Sequence, residues 1–131
     1  MRPLAFLALT LATPAVAQSQ LSPAQIGNAF CAAIVIDDAT ALEPLLTPEL
    51  ASMTADREGI RWHSGDAVPV SCMPVGASGS AERPESVLFL TFPGGKTASD
   101  RLILAFVDGQ LRIDDLAYAD GSMLREALSS Q

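Results

Sequence analysis

The chain is short of the residues from which most small catalytic and metal centres are built. It has one histidine, two cysteines, one tryptophan and one tyrosine in 131 residues. One imidazole and a single pair of thiols cannot supply the ligand set of a usual zinc site. No C-x-x-C spacing is present, which excludes the usual dithiol redox motif. Basic charge is scarce as well: eight Lys and Arg stand against fifteen Asp and Glu, for a net charge of −7. Such a surface repels nucleic acid and anionic lipid and is drawn to basic partners. No apolar run reaches the roughly 20 residues that a membrane-spanning helix needs. Internal repeats are also missing.

Three near-motifs fail on inspection. Gly94-Gly95-Lys96-Thr97 imitates the end of a phosphate-binding loop, but Leu90 stands where the motif requires its first glycine, and a strand follows instead of a helix. Gly76-Ala77-Ser78-Gly79-Ser80 misses G-x-S-x-G because its last glycine is displaced by one position. Asp37-Asp38, Asp114-Asp115 and Asp120 lack the spacing and central glycine of an EF-hand loop. No metal and no cofactor are expected.

The N-terminus carries a secretory signal. Met1-Arg2 gives a positive start, Leu4 to Ala12 an apolar run broken only by Thr10, and Ala15-Val16-Ala17 a small-x-small cleavage site. Thr13 and Pro14 end the run far short of a bilayer's thickness, so residues 1–17 read as a signal peptide removed after Ala17, not as a stable membrane anchor. Loss of Arg2 with this leader makes the mature domain, residues 18–131, one charge more acidic. Cys31 and Cys72 are the even pair of an exported chain and read as one disulfide. They lie 41 residues apart, and closing such a loop stabilises a fold by about 4 kcal/mol on the chain-entropy model. The expected location is the periplasm, or secretion beyond it.

Along the mature chain, the pattern changes from helical to extended. Ser22-Pro23-Ala24-Gln25 is a capping-box start, and Ile26, Phe30, Ala33 and Ile34 follow at helical spacing. Asp37-Asp38 predicts the cap of a second short helix through Leu42, Leu45 and Leu46. Thr47-Pro48-Glu49 opens a third, with Leu50 and Met53 inward and Gly59 as its stop. Ile60 to Pro69 has no period and carries Trp62 and His63. Val68–Val75 reads as a strand and Gly76 to Pro84 as a loop. Ser86–Phe92 and Arg101–Val107 are β-rich, separated by Pro93-Gly94-Gly95. Asp108-Gly109 is a hairpin turn leading into the alternating Leu111-Arg112-Ile113. Asp114-Asp115 breaks that alternation, by a strand end more readily than by a β-bulge. Asp120-Gly121-Ser122 precedes a last helix with Leu124 and Leu128 inward. Helices followed by an antiparallel meander give an α+β class, with N-terminal helices packed on a curved sheet of about four strands.

This order of elements, with "LEPLLTPEL" (Leu42–Leu50) and the ending "LRIDDLAYADGSMLREAL" (Leu111–Leu128), resembles the cystatin-like superfamily. That group includes nuclear-transport-factor-like and ketosteroid-isomerase-like domains, and small exported bacterial members of unknown function. The resemblance implies a cone-shaped sheet. Enzymes of the superfamily carry an acid or base in the mouth of the cone, but no motif here matches theirs residue by residue. By residue chemistry, the candidates for acid–base work are His63, Asp37 or Asp38, and Asp115, with Tyr118 as a hydrogen-bond donor. The expected function is a non-enzymatic binding module for a small apolar ligand or a basic exported protein. The alternatives are a ketosteroid-isomerase-like enzyme and a structural subunit of an envelope assembly.

Overall fold

The computed structural model describes residues 20–130, so the expected signal peptide, residues 1–17, lies outside the described residues. The first helix, α1, spans Pro23–Val35 and starts as its capping box requires. Ser22 Oγ accepts from the Gln25 amide, and the Gln25 side chain accepts from the Ser22 amide. Its buried stripe is Ile26, Phe30, Cys31, Ala33 and Ile34. The next segment is a 3₁₀ turn, Ala39–Leu45, not an α-helix. Pro44 lies inside it, and Asp38 makes no cap; its carboxylate instead accepts from the Thr40 hydroxyl at 2.6 Å. A second helix, α2, spans Pro48–Thr54, capped by Thr47 Oγ1 on the Leu50 amide at 3.2 Å. It ends before the expected Gly59 stop, and the chain then turns through Asp56 at φ 58°.

Four antiparallel strands follow in the order β1-β2-β3-β4: Ser71–Gly79, Pro84–Thr91, Thr97–Val107 and Gln110–Ala117. The sequence places Gly76 to Pro84 in a loop, whereas Gly76 to Gly79 pair with Val87 to Pro84 inside the sheet. Small residues permit this because β1 is an edge strand with little to bury. Asp108 and Gly109, both at positive φ, make the β3–β4 turn. At the aspartate pair the strand does not end. Ile103 pairs with Asp115 and Leu104 with Ile113, so Asp114 is the extra residue of a β-bulge. The bulge shifts the inward positions from Leu111 and Ile113 to Leu116 and Tyr118, and all four side chains are buried. The last helix, α3, spans Leu124–Ser129 and buries Leu124 and Leu128.

The helices lie on one face of the sheet and form one core with it. Phe30, Leu50, Leu88, Leu90, Leu102, Leu104 and Leu116 are fully buried there. Cys31 on α1 and Cys72 on β1 form the disulfide, joining the helical layer to the edge of the sheet. The opposite edge, β4, is covered by the chain itself. The Thr47 amide donates to the Ile113 carbonyl at 2.8 Å, and Met123 bridges to Ala117. Among the described residues, no helix is long and apolar enough to cross a membrane.

Candidate functional site

The irregular segment around Trp62 and His63 is held on the sheet by groups from three directions. Asp100 on β3 is 1% exposed, and both of its oxygens accept from Ser64. Oδ2 takes the Ser64 amide at 2.7 Å and Oδ1 takes the hydroxyl at 2.6 Å. Ser64 Oγ in turn accepts from the Ala119 amide at 3.0 Å. The Tyr118 hydroxyl donates to the Arg61 carbonyl at 2.6 Å, with the Arg61 guanidinium 4.4 Å above the ring centre. Gly65, at φ 84°, lies against Phe92, where a Cβ would come within 2.9 Å of the ring. A buried carboxylate must be hydrogen-bonded, and here that need fixes a loop which has no regular structure of its own.

So anchored, the loop closes a cavity of about 70 Å³ against the end of α1. Its walls are Ala33 and Ile34 of α1, Asp37, Asp38, Ala39 and Leu42 beyond it, and Ile60, Trp62 and His63 of the loop. His63 Nδ1 lies 2.6 Å from the Ser64 carbonyl, an acceptor only, so Nδ1 carries the proton in this bond. The ring also rests near Phe92, at 5.9 Å between centres. Asp37 sits at the C-terminal turn of α1 with φ 57°, its amide bonded to the Ile34 carbonyl, while the Asp38 amide bonds the Ala33 carbonyl. This pair of bonds is a Schellman end with aspartate where glycine is usual. No basic residue occupies the last turn of α1. The negative end of the helix dipole therefore meets two further negative charges.

Of the residues singled out by chemistry, the fold brings His63, Asp37 and Asp38 together around this cavity. Asp115 and Tyr118 are placed elsewhere. The Asp115 carboxylate accepts from the amides of Leu116 at 2.8 Å and Arg125 at 3.0 Å, which caps the start of α3. Burial pushes the Tyr118 phenol up to about 12; the Arg61 charge opposes that rise and the charges of Asp100, Asp115 and Asp120 add to it. Asp114 accepts from Thr47, Arg83 and Arg125 at 2.9, 3.1 and 2.6 Å. Burial alone raises its carboxyl, but the hydrogen bonds from Thr47 and Arg83 and the charges of Arg125 and Arg83 hold it below the usual range. A wider groove of about 520 Å³ beside α2 has this Asp114–Arg125 pair in its wall, with each charge already answered. Among the described residues, no group of three His, Cys, Asp or Glu is arranged to hold a metal ion.

Charge is also sorted by layer. From Pro3 to Asp56 the chain has no Lys or Arg, so Asp37, Asp38, Glu43, Glu49 and Asp56 are the only charged side chains of the segment that builds the helical layer. In the later part of the chain, Arg101 on β3 pairs with Glu85 at 2.7 Å, and Arg83 before β2 and Arg125 on α3 pair with Asp114. This one-sided stretch is visible in the sequence, and total net charge conceals it. No protein-family model, no curated protein and no solved structure matches the chain.

Proposed function

We propose that the chain is an exported, non-enzymatic binding module that holds a basic protein partner against its acidic helical layer. The observation that carries this reading is the sorting of charge: the helical segment is wholly acidic, while three arginines from the sheet half are paired within the fold. Opposite potential steers and orients a basic partner. The Cys31–Cys72 bond fits an oxidising compartment, and with the leader sequence it supports the periplasm as the site of action. The curved sheet under N-terminal helices is the arrangement implied by the cystatin-like resemblance, and that superfamily belongs to the proposal.

A small apolar ligand fits less well. Ligand pockets of that kind enclose roughly 300–1,000 Å³, whereas here the helix-covered face of the sheet is filled by core side chains. Ketosteroid-isomerase-like chemistry would need a carboxylate in an open apolar pocket, and Asp115 is bonded to α3 and its own strand.

Calorimetric titration of the mature domain with a lysine-rich peptide tests the proposal. Binding is expected, weakening steeply as salt rises from about 0.05 to 0.5 M. Glu43→Lys with Asp56→Lys should abolish it, while Glu82→Lys with Asp108→Lys on the sheet hairpins should leave most of it. Equal losses from both pairs, or binding indifferent to salt, would overturn the acidic-layer reading.

A further inference from the structure

We infer that the cavity beside Trp62 is the anchor for one cationic side chain of a bound polypeptide, a lysine ammonium or an arginine guanidinium. The inference rests on the reading above and names the place and chemistry of the contact.

Size comes first. A volume of about 70 Å³ holds roughly two waters at about 30 Å³ each, which is the scale of a single charged head group and too small for a ring system. The lining then selects the charge. The carbonyl end of α1 points its partial negative charge at this place, and Asp37 and Asp38 add two carboxylates. Trp62 supplies an aromatic side chain, of the type that attracts cations most strongly. Among the described residues, no Lys or Arg lines the cavity. Two adjoining grooves each carry an arginine that is engaged elsewhere: Arg61, beside Trp62 and His63, lies over the Tyr118 ring, and Arg57 donates to the Leu128 carbonyl at 3.2 Å. Acidic residues at the C-terminal end of a helix go against the dipole. A cation entering here would answer the charge that the fold leaves unbalanced.

The groove also provides the approach. The cavity shares Ala39, Ile60 and Trp62 with a wider depression of about 160 Å³ that includes Glu43 and Asp56. A basic segment lying along that depression would present one side chain to the cavity and others to the acidic rim.

Trp62 is the only tryptophan in the chain, so its emission reports on this cavity and the depression that adjoins it. The mature domain would be titrated with three short peptides identical except for a central lysine, arginine or norleucine, each with neutral flanks. Saturable changes in Trp62 emission, with reduced quenching by acrylamide, are expected for lysine or arginine and not for norleucine. The comparison of the two cationic peptides identifies the preferred head group. Asp37→Asn with Asp38→Asn should weaken binding about tenfold. Asparagine tolerates the left-handed conformation at Asp37 and keeps the Thr40 acceptor at Asp38, so the variant's circular dichroism should match the parent's. Salt-sensitive binding of the lysine-rich peptide with Trp62 emission unmoved would overturn the anchor and leave the acidic layer standing. Equal affinity for the norleucine peptide, or an unweakened double variant, would overturn it as well. If no basic peptide binds at all, both the anchor and the binding-module reading fail.

Discussion

Tyr118 has its ring in the core, its hydroxyl on the Arg61 carbonyl, and its phenol pushed by burial up to about 12. Because the folded value lies above the ordinary 10, this contribution to stability is complete below pH 10 and is lost as pH rises toward 12. Across that interval the unfolded chain gives up the proton while the folded one keeps it. Tyr118 is the only tyrosine, so absorbance near 295 nm follows it without overlap. Phenolate is expected only well above pH 10, or together with loss of the circular dichroism signal. A titration centred on 10 in a protein still folded would contradict the burial. At this scale the sequence was informative about chemistry and poor on placement. Tyr118 and Asp115 stand out as reactive types, but what they bond depends on the bulge at Asp114, where local pattern favours a strand end. Asp100 was legible in principle, since the alternation that turns Leu102 and Leu104 inward also turns Asp100 inward. A lone acid next to an arginine reads as a solvated face, and only the arrival of Ser64 from 36 residues away explains its burial.

Elements with strong end signals come out where their residues place them. The boxed start of α1, the Thr47 cap of α2 and the Asp108-Gly109 turn are local features, and local energetics decide them. Boundaries set by tertiary pairing do not: β1 runs on through Gly79 because β2 offers it a ladder, whatever its glycines prefer. The contact between α1 and the sheet shows how close that fit is. Gly27 faces Ser86, and a Cβ there would lie 2.6 Å from Ser86 Oγ and 3.0 Å from Pro74 Cβ. Ser86 itself is fully buried, and its hydroxyl has no hydrogen-bond partner among the described residues. Gly27→Ala should therefore destabilise the fold by about 1–3 kcal/mol through overpacking. Ser86→Ala should stabilise it by about 1 kcal/mol, by removing an unmet polar group. Combining the two should recover part of the first loss, because the closest clash is with the deleted oxygen. Urea denaturation of the three variants measures all of this, and strict additivity would show that the helix and strand do not meet as described.

In the whole molecule, chain order and layer order coincide. Helices occupy residues 23–54 and strands residues 71–117, with the short α3 returning to the edge at β4. That division let the α+β class be read from a change of period alone. It also sorts charge, since a segment without Lys or Arg becomes one side of the domain. The cavity at Trp62 was not legible as a cavity, because it forms between the end of α1 and a loop whose position is dictated by Asp100 and Tyr118, far along the chain. His63, Asp37 and Asp38 were visible separately, and only the packing of three segments makes them neighbours.

The disulfide has a topological consequence. By joining Cys31 to Cys72 it turns residues 31–72 into a covalent ring, with the strands as one tail and the start of α1 as the other. The exposed stretch Ala55–Gly59, between the helical layer and the sheet, lies within that ring. A single cut there opens the ring but releases no fragment, and the core remains assembled across the nick. Limited proteolysis should accordingly give a product gaining the mass of one water and running as one species without reductant, and as two fragments once Cys31 and Cys72 are reduced. Immediate release of a fragment under oxidising conditions would mean that the first cut falls outside the ring. A domain wired in this way survives its first encounter with a protease as one molecule.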